Sequence, residues 1–148
     1  MERLDAQVYK IASFEITDLK LVDKIAKTKK PLIISTGMAS VKEIDTCIKT
    51  VNKYHNKIAL LHCVSGYPTP ENQANLKRIL TLQKKFKKFN IGLSDHTSDI
   101  NSSLASIPYG AMFIEKHFIL SKKLNSLDNK FSIDPKKLKE LARVSRII

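Results

Sequence analysis

The sequence predicts an α/β chain of about five parallel β-α units. Five short β-rich runs recur along the 148 residues, each mostly apolar, as strands buried on both faces would be. Stretches with helical spacing lie between them, and polar or ionisable residues collect where the runs end. A strand-helix alternation of this kind implies a parallel sheet with right-handed crossovers. Two architectures fit it: an open doubly wound sheet, and part of a (β/α)8 barrel.

The strands are expected at Val8–Ser13, Leu32–Ser35, Ile58–His62, Ile91–Ser94 and Met112–Glu115. The first helix fits Asp18–Thr28. In the second, Val41, Ile44, Ile48 and Val51 share one face, and Ser40 with Glu43 has the spacing of a capping box. The third places Leu76, Ile79, Leu80 and Phe86 on its buried face, and the fourth fits Ser98–Ile107. The last starts at Asp134-Pro135, an N-cap followed by proline at the first helical position, with Leu138, Leu141 and Val144 as its buried face. The stretch from Asn125 to Lys130 reads as a loop. Neither a low-complexity linker nor a sequence repeat interrupts the pattern, so residues 1–148 are expected to form a single domain.

Composition excludes several classes. No apolar run reaches the roughly 18–20 residues of a membrane span. Met1-Glu2-Arg3-Leu4-Asp5 is charged and lacks a signal core, and Cys47 with Cys63 makes no disulfide framework, so a reduced, cytoplasmic protein is expected. The formal charge of +12 suggests either a polyanionic partner or a lysine-rich solvated surface. Lysines are scattered over helix positions, and the run Lys84-Lys85-Phe86-Lys87-Lys88 falls where a helix ends, which favours the solvated surface. A basic module that binds nucleic acid or another polyanion remains the alternative function, ranked lower because interleaved aromatics and nucleic-acid motifs are lacking.

The strand ends carry the chemistry. They read Lys10-Ile11-Ala12-Ser13-Phe14-Glu15, Ser35-Thr36-Gly37-Met38, His62-Cys63-Val64-Ser65-Gly66-Tyr67, Ser94-Asp95-His96-Thr97 and Glu115-Lys116-His117. In either architecture the C-terminal strand edge holds the active site. His96 and His117 close consecutive strands; two imidazoles there suit a divalent metal, or serve as hydrogen-bonding and acid-base residues. His62 is a third candidate inside its strand, and His55 reads as solvent-facing. Lys10, among apolar residues, is either a clamp for a phosphate or carboxylate or a residue reaching to the rim. Ser13, Ser65 and Ser94 could donate to the same anion or cap turns, and Glu15 and Asp128 could hold sugar hydroxyls or lie on loops. Cys63 has no activating partner, and no glycine-rich phosphate loop is present.

Taken together, six stretches resemble the sialic acid synthase family, whose members make N-acetylneuraminic, legionaminic and pseudaminic acids. They are Tyr9–Glu15, Pro31–Met38, Leu61-His62-Cys63, Tyr67-Pro68-Thr69-Pro70, Gly92–Thr97 and Glu115-Lys116-His117-Phe118. The resemblance covers nearly the whole chain. It implies a (β/α)8 barrel of which this chain matches strands four to eight, without the first three strands or the C-terminal antifreeze-like domain. The implied reaction condenses phosphoenolpyruvate with an N-acetylated amino sugar and releases phosphate. A divalent metal, manganese or magnesium, is implied at His96 and His117. Lys10, Ser13 and Ser94 would hold phosphoenolpyruvate, Glu15, Tyr67 and Asp128 would face the sugar or the reacting centre, Glu115 would sit close to the metal, and Ser35 would line the same pocket. Ser65 keeps a donor where relatives carry Thr, Ser or Asn. Glu15 is expected to act as base or to stabilise positive charge, and Lys10 is counted with it as catalytic.

Relatives usually read Gly-Pro-Asp near Asp128, where this chain reads Ser126-Leu127-Asp128. A five-strand piece of a barrel has open edges, which invite pairing. The chain is therefore expected to self-associate or to need the other barrel half, and to be inactive alone. Another metal-dependent barrel enzyme acting on a phosphorylated small molecule, such as an aldolase, is a third reading, separated by whether phosphate is released from phosphoenolpyruvate. Phe14 resembles the pseudaminic branch, while His62 and Cys63 resemble the sialic and legionaminic branches, so the sugar stays open.

Overall fold

The computed structural model describes residues 4–148; Met1, Glu2 and Arg3 of the charged N-terminal run lie outside the described residues. Five strands, β1 (Tyr9–Ile11), β2 (Leu32–Ser35), β3 (Ile58–Cys63), β4 (Asn90–Asp95) and β5 (Ile114–Lys116), form one sheet in the order β1-β2-β3-β4-β5, all parallel. A doubly wound sheet reverses its strand order at a switch point. This sheet does not reverse; it curls as part of a barrel.

Five helices follow the strands: α1 (Leu19–Ala26), α2 (Val41–Val51), α3 (Arg78–Lys85), α4 (Asn101–Ser106) and α5 (Pro135–Val144). Asp18 caps α1 by accepting from the backbone N–H groups of Lys20 and Leu21. Ser40 and Glu43 close the expected capping box on α2. Asp134 caps α5 through Lys137 N–H, with Pro135 at the first position.

Strand alternation divides the side chains into two layers. Ile11, Leu32, Ile34, Leu60, Ile91 and Leu93 point outward into a core shared with Val22, Ile44, Val51, Ile79 and Leu82 of the helices. A smaller cluster joins Ile100, Ile133 and Leu141, with Leu104 and Ile114 packed against it. The inner face carries Lys10, Ser35, Ser94 and Glu115. Register confirms the layers: His62 lies opposite Leu93 and points outward, while Cys63 lies opposite Ser94.

The element boundaries correct the sequence reading in several places. β1 spans three residues, because the chain turns after Ile11: Glu15 N–H reaches the Ala12 carbonyl, and Ala12 N–H reaches the Glu15 carboxylate. β5 begins two residues later than expected, leaving Met112 and Phe113 exposed on the approach to it. α4 begins at Asn101, since Thr97 N–H is taken by Asp95 and Ile100 N–H by Asp99. The buried stripe of α3 is Ile79, Leu82 and Phe86, at helical spacing, and Leu80 stands about 100° round from it in solvent. On α5 only Leu141 is buried; Leu138 is exposed and Val144 half-buried, because the contact with α4 is narrow. His55 is half-buried rather than solvent-facing, its Nδ1 accepting from Lys57 N–H, and burial with the nearby Lys57 holds its pKa below the ordinary value. The loop from Asn125 to Lys130 is tied down: Asn129 donates to the Lys122 and Leu124 carbonyls, and Lys122 donates to those of Asn129 and Ser132.

Among the described residues no helix is long and apolar enough to cross a membrane.

Candidate active site

The C-terminal ends of the strands surround a pocket of about 410 Å³. Lys10 enters from β1 and Ser13 from the turn after it; Ser35 ends β2; Ser94 comes from β4 and His96 directly follows that strand; Glu115 comes from β5 and His117 directly follows it; Tyr67 closes one side from the loop after β3. Eight of the eleven sequence-chosen residues therefore meet in one place.

The remaining three stand around it. Ser65 is bonded to Ser13, Oγ to Oγ at 3.1 Å, just behind the wall. The backbone of Gly37, at φ +31, passes so close to both that a Cβ there would lie 2.3 Å from Ser13 Cβ and 2.8 Å from Ser65 Oγ. Asp128 approaches from the loop before α5 and meets His117. Glu15 is turned away: its carboxylate accepts from Ala12 N–H, and it borders a neighbouring recess with Leu21 and Ile25. His62 leaves the group altogether. It is fully buried on the outer face, its Nε2 2.8 Å from the Ala74 carbonyl oxygen.

Within the pocket, two donors converge on one anionic oxygen. Lys10 Nζ lies 3.1 Å and Ser94 Oγ 2.6 Å from Glu115 Oε1. Lys10 and Ser94 thus jointly hold an anionic oxygen, here that of Glu115. Ser35 Oγ is buried at the same wall and makes no hydrogen bond. A buried hydroxyl without a partner is costly, and a bound ligand would relieve that.

The imidazoles are oriented by their far nitrogens. His96 Nδ1 is 2.8 Å from the Val64 carbonyl oxygen, which can only accept, so this nitrogen carries the proton. Its Nε2 then offers a lone pair. The Ser94 hydroxyl 3.3 Å away donates its hydrogen bond to Glu115, so that lone pair has no donor. His117 Nδ1 is 3.1 Å from Asp128 Oδ2, an arrangement that again leaves Nε2 for a ligand. The rings are 5.5 Å apart. Burial pulls the His96 pKa down, against the opposing effect of the Val64 bond, and keeps the ring neutral near pH 7. Two imidazoles, each held by an acceptor at the distal nitrogen, are the donor pattern of a divalent-metal site. Among the described residues no three His, Cys, Asp or Glu side chains cluster as a complete ligand set.

Sequence reasoning missed two features. Phe131 is buried beside the histidines, edge-on to His117 at 4.8 Å and to Tyr67 at 5.2 Å, while Tyr67 stacks on His96 at 4.2 Å. Its loop has no periodicity from which this could be read. Behind the sheet, Lys116 and Asp95 form an ion pair at 3.0 Å with side chains only 4% and 2% exposed. The available signal was two charged residues at outward positions of otherwise apolar strands.

The family model that matches this chain is that of the NeuB family, over residues 1–148. The chain is 43% identical to the N,N'-diacetyllegionaminic acid synthase of Campylobacter jejuni over 151 aligned residues, covering 100% of this chain and 45% of that protein. It is 44% identical to the pseudaminic acid synthase of Helicobacter pylori, covering 90% of this chain and 39% of that one. Its fold superposes with a TM-score of 0.93 on the N-acetylneuraminic acid synthetase of Leptospira borgpetersenii, a structure in complex with citrate, at 37% identity over 99% of this chain and 52% of that one. The chain thus spans about half or less of the length of each of these relatives.

Proposed function

Because this chain belongs to the NeuB family, we propose that it forms the metal- and phosphoenolpyruvate-binding part of a sialic-acid-type synthase, which joins phosphoenolpyruvate to an N-acetylated amino sugar. The observation that carries the proposal is the convergence of Lys10 and Ser94 on a single carboxylate oxygen beside two histidines with free Nε2 atoms.

His96 and His117 would hold manganese or magnesium, which when bound supplies Lewis-acid polarisation of the sugar aldehyde. The side chains do the rest. Lys10, Ser13, Ser35 and Ser94 neutralise and orient the phosphate and carboxylate of phosphoenolpyruvate, fixing its C3 toward the aldehyde carbon. As the C3–C bond forms, water adds at C2, and phosphate departs with cleavage of the C2–O bond. Glu115 gives up its bonds to Lys10 and Ser94 when the substrate anion arrives, and its freed carboxylate faces the cationic centre at C2. Glu15, on the neighbouring recess, is assigned as base through a water or on closure of the Ala12–Glu15 turn. Tyr67 and Asp128 border the sugar side; Asp128 also fixes the orientation of His117. A phosphorylated three-carbon substrate fits a reaction in the cytoplasm.

β1 and β5 each have one strand neighbour among the described residues, so their outer edges are free to pair. The reading therefore includes a complement: further β-α units on the same or another polypeptide, or a second copy of this chain. The test is phosphate release from phosphoenolpyruvate in the presence of an N-acetylated amino sugar and manganese. Release is expected when the 148 residues are combined with the strands that relatives place before this region, and not from the chain alone. Full activity of the chain alone, as a cooperatively melting monomer, would overturn the need for a complement. Release from the combined protein that survives Lys10→Met would overturn the assignment of the pocket.

A further inference from the structure

We propose that Asp95 and Lys116 are positioning residues: a buried lock on the back of the sheet that sets the two histidines on its front. The inference rests on the metal reading for its function but on separate geometry for its existence.

The two residues face one another across β4 and β5 in strict register. Lys116 Nζ lies 3.0 Å from Asp95 Oδ2, and both side chains are nearly sealed from solvent. Every polar contact is satisfied. Asp95 Oδ1 accepts from Thr97 N–H at 2.8 Å, and Oδ2 accepts from Ser103 Oγ at 2.5 Å. Lys116 Nζ donates to the Thr97 carbonyl at 2.5 Å and stands 3.3 Å from Thr97 Oγ1. The network thus ties two strands, the turn after β4 and helix α4 at one point.

A purely structural role would not need charge here, since apolar residues of similar volume stabilise such a site as well or better. What an ion pair adds is direction. A slip of one residue between strands would send every side chain to the other face, and here it would leave two charges buried apart. Asp95 sits between Ser94 and His96; Lys116 sits between Glu115 and His117. Alternation sends the Asp95 and Lys116 side chains to one another on the outer side, while Ser94, His96, Glu115 and His117 all line the pocket, whose wall also takes in part of Lys116. Fixing Asp95 against Lys116 therefore fixes His96 against His117, and Ser94 against Glu115.

The test compares the parent chain with the double variant Asp95→Asn, Lys116→Met, which removes both charges together and orphans neither. Two readings are taken: manganese affinity by calorimetry, and the imidazole proton and nitrogen resonances of His96 and His117 in the metal-free chain. The variant is expected to fold, to bind manganese at least tenfold more weakly, and to show both histidine spin systems displaced. Tyr54→Phe is the control: it deletes the Tyr54–Asp23 bond between α1 and the residues after α2, far from the pocket, and should leave the histidine resonances in place. A folded double variant with manganese affinity within twofold of the parent and unmoved histidine resonances overturns the inference. Equal movement in Tyr54→Phe does so too. Should the parent bind no manganese, the metal reading falls, and the histidine resonances alone decide the positioning role. Should the double variant not fold, Ser103→Ala, which loosens Asp95 from α4 and keeps the pair, decides by the same resonances: movement supports the lock, and none overturns it.

Discussion

Gly92→Ala tests how closely β4 and β5 must approach for the pocket to exist. Gly92 lies on the inner face, opposite Leu61. An added Cβ would lie 2.4 Å from the Phe113 carbonyl oxygen, 2.7 Å from Leu61 Cδ2 and 2.9 Å from Phe113 Cβ. Leu61 can rotate, but the carbonyl cannot: it is backbone, and it accepts from Leu93 N–H at 2.8 Å. Restoring ordinary contact requires the start of β5 to move by about 1 Å. Overpacking of this kind costs roughly 1–3 kcal/mol, and weakening the Leu93 bond adds about 1 kcal/mol. The sum, about 2–4 kcal/mol, corresponds for a chain of this size to a melting temperature lower by roughly 5–15 °C. Thermal unfolding followed by far-ultraviolet circular dichroism reads this directly. A melting temperature within about 2 °C of the parent would refute the reasoning, because it would mean the two strands have slack.

The other expectations concern separate parts of the molecule. Asp128→Ala should weaken manganese binding by about 10–100-fold while leaving the melting temperature unchanged, because it removes the orienting partner of His117 from a half-exposed loop; calorimetry and a thermal melt check the two halves. Ile34→Ala, in the fully buried outer core, should cost about 2–5 kcal/mol in a urea titration. Cys47 and Cys63 are completely buried, and burial pushes the Cys47 thiol up to about 11, so neither should react with a disulfide reagent at pH 8 until denaturant is added; rapid reaction of the folded chain would contradict the packing.

How much of this was legible depended on the length scale of the signal. The five strands announce themselves because each is short and apolar, and the boundaries of α1, α2 and α5 because Asp18, Ser40 with Glu43, and Asp134 with Pro135 are local caps. The pocket residues were legible because strand ends must converge in a parallel sheet. Long-range pairings left no such trace. The bond from His96 to the Val64 carbonyl, the edge-on packing of Phe131 against His117, and the Asp95–Lys116 pair all depend on which elements become neighbours. Periodicity predicted strands and helices but left barrel and open sheet both open; the resemblance of the strand-end motifs to the sialic acid synthases chose the barrel, and the strand order agrees with it. The outward turn of His62 followed from alternation with Leu61 and Cys63, a rule available from sequence only once the inner face was known.

The central claim is that two strand-end histidines form a metal site in this pocket. It is tested most directly by titrating manganese into the metal-free chain and following the free ion by electron paramagnetic resonance, beside a His96→Ala, His117→Ala variant. One saturable site in the parent, absent from a variant that melts like the parent, is the predicted result. Equal binding by both would contradict the claim, as would a folded parent that binds none.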